Sequence, residues 1–130
     1  MADVRRQQSI DVENIAHGAP IPVASRVGNV LMTSAIGGRD LKTGKLPPDG
    51  DTQARNAFES LKAILAKGGM GLGDVVKITC FVTDDNLRDN INKYWNECFP
   101  DAAKRPARHT LVLPLRGGVL LQIDATAVAN

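Results

Sequence analysis

The sequence predicts an α+β fold in which two helices lie on one face of a single mixed sheet. Helical and alternating apolar patterns follow one another in the order strand, helix, strand, helix, strand, strand. Each strand–helix–strand passage favours a parallel pair with a right-handed crossover, which puts both helices on the same side. The 130 residues, 43% apolar and 23% charged, are ordinary usage for one domain, expected to span residues 1–130.

The first clear strand is Val30 to Ile36, apolar or small throughout, with further strand material around Ile21 to Val27. Gly37-Gly38 ends it, and a long turn runs from Lys42-Thr43-Gly44-Lys45 through Pro47-Pro48-Asp49-Gly50. From Asp51 to Lys67, Ala54, Ala57, Phe58, Leu61, Ile64 and Leu65 recur at helical spacing, with Asp at the start and Gly68-Gly69 at the end. Asp74 to Thr83 alternates as a strand, with Val76, Ile78, Cys80 and Val82 on one face and Lys77, Thr79 and Phe81 on the other.

A second helical stripe, Leu87, Ile91, Tyr94, Trp95 and Cys98, opens after Asp84-Asp85 and closes before Pro100. Arg108 to Leu113 and Val119 to Val128 are two more strands, and the link Pro114-Leu115-Arg116-Gly117-Gly118 is short enough for a hairpin. On the last strand Val119, Leu121, Ile123, Ala125 and Ala127 face the helices, leaving Leu120, Gln122, Asp124 and Thr126 on a bare side. Such a mixed apolar and polar face suggests burial against another subunit.

Several function classes are disfavoured. No apolar run approaches the roughly 18 residues of a membrane span. Lys and Arg are scattered, the net charge is +2 and aromatics are 4%, which argues against a nucleic-acid platform. Cys80 and Cys98 are too few for a disulfide framework. Met1 to Ile10 has no apolar stretch, so no secretory leader is read and a reducing, cytoplasmic setting is the default expectation.

Candidate chemistry is sparse. Gly69-Met70-Gly71-Leu72-Gly73 looks like a dinucleotide fingerprint but follows a helix and precedes a strand, the wrong context for cradling phosphate. His17 and His109 lie far apart in the chain, and no compact ligand set for a metal is found. No base or orienting group stands near Ser25, Ser34, Cys80 or Cys98. More informative is Lys104-Arg105-Pro106-Ala107-Arg108-His109, where a guanidinium opens a strand and can hold a carboxylate bidentately. A solvated basic loop is the bland alternative, and His109 alternates to the face opposite Arg108.

The ordered set Arg26 to Ser34, Thr43-Gly44-Lys45-Leu46, Gln53, Gly73 to Thr79, Asn92, Phe99-Pro100, Pro106-Ala107-Arg108 and Leu113-Pro114 resembles the reactive intermediate deaminase family, also called RidA or YjgF. The resemblance covers Ala19 to Val128. It implies a chorismate-mutase-like subunit assembled as a barrel-like homotrimer with clefts between subunits. It also implies metal-free and cofactor-free hydrolysis of enamines or imines to a keto acid and ammonia. Arg108 is then the carboxylate anchor, with Ser34, Ala35, Asn92, His109 and Thr110 around the substrate.

Two positions depart from the family pattern. Ile21 stands where deaminating members carry a Tyr, and Gln122 where they carry a Glu. A carboxamide holds water but cannot take its proton. Asp124, on the same face, and His17 are then candidate bases, the bland readings being an interface ion-pair partner and an exposed loop histidine. The leading expectation is deamination of a 2-imino acid, or of a longer aminomuconate-type acid that suits the apolar Ile21 wall. A non-catalytic trimeric module binding a small carboxylate is the alternative. A ribonuclease or translation inhibitor is a third reading, known from older descriptions of relatives.

Overall fold

The computed structural model describes residues 6–130, so the reading of Met1 to Ile10 as lacking a leader falls partly outside the described residues. Among these residues six strands and two α-helices form: β1 (Gln8–Ile10), β2 (Ala24–Val27), β3 (Val30–Thr33), α1 (Gly50–Lys67), β4 (Val75–Val82), α2 (Leu87–Cys98), β5 (Ala107–Val112) and β6 (Leu121–Val128). They make one mixed sheet in the order β1-β2-β3-β6-β4-β5, with only β4 and β5 parallel. No helix among the described residues is long and apolar enough to cross a membrane.

Both helices follow from local chemistry. Asp49 caps α1 by accepting from Thr52 N at 2.9 Å and Thr52 Oγ1 at 2.7 Å. The helix stops where Gly69 turns left-handed at φ +76°, with Met70 N donating to Leu65 O at 2.8 Å. Phe58, Leu61, Ile64 and Leu65 of α1 and Ile91, Tyr94 and Trp95 of α2 are buried in one core with Leu31, Ile78, Cys80, Val82, Leu121, Ile123, Ala125 and Ala127 of the sheet. Gln122, Asp124 and Thr126 alternate with these on the uncovered face, where Val30, Met32 and Val128 are exposed.

The hairpin expected between the last two strands does not form. β6 lies between β3 and β4 and pairs with both, while β5 pairs only with β4. The Pro114–Gly118 link therefore passes the end of β4, where Thr83 N donates to Leu120 O at 2.9 Å and Leu113 N to Val82 O at 2.9 Å. Inserting β6 also separates β3 from β4, so the first crossover joins strands that are parallel in direction but not adjacent. β6 pairs along both edges, Val128–Thr126 with β3 and Ala127–Leu121 with β4, which makes it a central strand.

Smaller corrections follow from local irregularity. A bulge between Val75 and Lys77 turns Val76 out to solvent, 52% exposed, and puts Val75 into the core in its place. Ile36 meets Ile123 only through an isolated bridge beyond the end of β3, and β6 begins after Val119. Gln8–Ile10, given no role from sequence, adds an edge strand to β2.

Candidate functional site

Arg108 sits near the head of the edge strand β5, opposite Ile78 of β4, and so shares the helix-covered side. Its Nη2 donates to Asn92 Oδ1 at 2.7 Å, and its guanidinium lies 5.0 Å from the centroid of the Trp95 ring. Trp95 is held edge-to-face against Phe99 at 5.0 Å. Helix α2 thus positions the guanidinium through residues one turn apart, and no carboxylate forms a salt bridge with it among the described residues. Four of its five N–H donors remain for a ligand.

Thr110 follows on the same side, opposite Cys80, whose thiol burial pushes up to about 11. His109 instead pairs with Thr79, which pairs with Asp124, so these three cross the uncovered face in one row. Gln122, Phe81 and Leu111 form the next row. Burial raises the Asp124 carboxyl above its ordinary value, and Lys77 opposes the shift. Within one protomer Arg108 therefore stands on the opposite side of the sheet from Gln122 and Asp124, and the three do not converge.

A second group does converge. Gln122, Ala35 and His17 line a cleft of about 180 Å³ together with Arg39, and Ile15, Val23, Ile36, Leu46 and Val119 supply apolar walls. Ser34 shapes the neighbouring loop, donating its hydroxyl to Pro22 O at 2.8 Å and its N–H to Val23 O at 2.8 Å. Ile21 is 48% exposed and borders a separate surface depression that it shares with His17.

Two residues of α1 fix this cleft. Gln53, wholly buried, donates to Pro47 O at 2.8 Å and Gly118 O at 3.0 Å and accepts from Leu120 N at 2.9 Å, tying together the approaches to α1 and β6. Asn56 donates to Gly38 O at 3.0 Å, and a Cβ on Gly38 would stand 2.5 Å from Gln53 Cα, so only glycine packs there. Sequence reasoning missed Asn56 and Arg39. Their signal was faint: a polar residue on the inner stripe of a helix, and an arginine directly after a glycine pair.

Comparison with known proteins places this geometry in context. The family described as Endoribonuclease L-PSP matches residues 14–129. A 2-iminobutanoate/2-iminopropanoate deaminase of Escherichia coli is 36% identical over 104 residues, covering 78% of this chain and 81% of the relative. The crystal structure of the YjgF gene product from E. coli superposes with a TM-score of 0.85 at 32% identity, over 95% of this chain and 99% of that one. E. coli TdcF with bound serine gives 0.86 at 29% identity, over 95% and 99%.

Proposed function

The chain belongs to the L-PSP endoribonuclease (YjgF/RidA) family, and from that membership we propose that it hydrolyses a carboxylated enamine or imine to a keto acid and ammonia. The observation that carries this reading is Arg108. Its guanidinium is oriented by Asn92 and Trp95 at the open edge of the sheet, with donors free for the substrate carboxylate.

Because Arg108 and Gln122 lie on opposite sides of one protomer's sheet, a site using both is assembled between subunits. The exposed Met32 and Val128 and the half-buried Gln122 and Asp124 suit a face that packs against further copies in a homotrimer. In that cleft Gln122 holds a water against the C=N carbon, and the backbone at Ser34, Ala35, His109 and Thr110 completes the wall. The water oxygen bonds to carbon, its proton passes to Asp124, and a carbinolamine forms. Asp124 returns that proton to the nitrogen, and the C–N bond then breaks with its electron pair leaving on ammonia while the hydroxyl gives its proton back to the Asp124 carboxylate and the carbon–oxygen bond becomes the carbonyl. Burial of Asp124 suits it to this role, since a raised pKa makes a carboxylate a better base. Hydrolysis of a protonated imine needs little beyond positioning, so loss of the Tyr and Glu of the family pattern at Ile21 and Gln122 is compatible with turnover.

Two measurements test the proposal. Sedimentation equilibrium is expected to give the trimer mass, and a monomer at micromolar concentration would overturn the shared site. Multiple-turnover ammonia release from 2-iminobutanoate generated in situ is expected. Binding of the keto acid with no turnover of any imine would instead make this a carboxylate-binding module.

A further inference from the structure

We propose that Arg39 is a second carboxylate anchor, which makes the preferred substrate an imino acid with an anionic group at each end. This rests on the reading above, that Gln122 and Ala35 stand at the reacting end of the substrate.

Arg39 lines the cleft, half-buried, and is held at its backbone and at its head group. Its backbone follows Gly38, which is locked against α1 by Asn56 and by contact with Gln53, and Arg39 Nη2 donates to Ala16 O at 2.8 Å. Both ends of the residue are thereby fixed, and among the described residues nothing uses its other four N–H donors. The nearest carboxylate in sequence, Asp40, is engaged elsewhere, accepting from Lys42 N at 2.7 Å and Thr43 N at 3.1 Å. Among the described residues no acidic side chain makes a salt bridge with Arg39. A half-buried, unneutralised guanidinium beside Ile15, Val23, Ile36, Leu46 and Val119 matches a ligand that is aliphatic in the middle and anionic at its tip. The cleft, about 180 Å³, lies below the roughly 300–1,000 Å³ of drug-sized sites and takes a small acid.

Arg108 and Arg39 divide the work: the first holds the carboxylate next to the imine, the second the distal one. An alkyl imino acid leaves Arg39 without its partner and loses that interaction. Ile21 borders the separate depression and does not line this cleft.

The test compares 2-iminoglutarate with 2-iminopentanoate, the same five-carbon chain with and without the terminal carboxylate, each generated in situ by an amino-acid oxidase. In the intact protein kcat/KM is expected to favour the dicarboxylate by at least about tenfold. Arg39→Gln is expected to lower that ratio at least about tenfold, and Arg39→Lys to keep part of it. A ratio near one in the wild type, an unchanged ratio in Arg39→Gln, or loss of both imines alike in that variant would overturn the inference while leaving the deaminase reading standing. No turnover of either imine by the wild type would overturn both.

Discussion

Replacing Gln53 by Met removes three hydrogen bonds while keeping the length of the side chain. Leu120 N–H and the carbonyls of Pro47 and Gly118 lose their partner, Pro47 and Leu120 being half-buried and Gly118 exposed. At about 1 kcal/mol for each bond the expected loss is about 3 kcal/mol, because a thioether offers these groups neither a donor nor a strong acceptor. For a chain of this length each kilocalorie lowers the thermal midpoint by about 4 °C, giving a drop of about 12 °C. Circular dichroism melts at one fixed subunit concentration read this, since association would otherwise move the midpoint. A drop below about 3 °C would refute the reasoning, for it would mean that Gln53 is not the tie between these loops. Because Leu46 and Val119, which flank the tied segments, are also cleft walls, Gln53→Met is further expected to weaken keto-acid binding.

Other expectations concern titration and reactivity. Asp124 has its carboxyl raised by burial, so the fold is favoured by its protonated form. Its stabilising contribution is complete below the ordinary value of 3.8 and is lost as pH rises through the elevated one. Asp124→Asn should therefore gain stability over the wild type across that window and hold the gain at neutral pH, as urea unfolding from acid to neutral pH would read. An advantage that grew toward acid pH would show the sign to be wrong. Cys80, with its thiol near 11, should resist alkylation at pH 8 until the chain is denatured, whereas rapid labelling of the native protein in mass spectrometry would contradict its burial.

Much of the fold was legible because strong periodicity reports burial directly. α1 begins one residue before the expected Asp51 and stops at Gly68-Gly69, α2 lies between Asp84-Asp85 and Pro100, and β6 shows its two faces through strict alternation. What the sequence could not report was strand order. A five-residue link containing two glycines suits a hairpin equally well as a step past the end of β4, and only the pairing of β6 with both β3 and β4 decides between them. The bulge at Val76 was likewise hidden, since an extra residue leaves the composition of a strand unchanged while reversing which Val it buries.

The site was legible in fragments. Pro106-Ala107-Arg108 stood out because a guanidinium that opens a strand can hold a carboxylate bidentately, and the structure gives it two orienting partners on α2. His17 and Ala35 do meet Gln122 in a cleft, and His109 falls on the face opposite Arg108, as alternation requires. Arg39 escaped notice since its role depends on Gly38 packing against Gln53, a contact between segments far apart in the chain.

The most direct test of the account is the Arg108→Ala variant in a coupled assay of ammonia release from 2-iminobutanoate. Removing a bidentate, charge-assisted contact to the substrate carboxylate should lower kcat/KM by about 100-fold or more and weaken keto-acid binding in step. Unchanged turnover and unchanged affinity across several imino acids would contradict the assignment of Arg108 as the anchor and, with it, the proposed site.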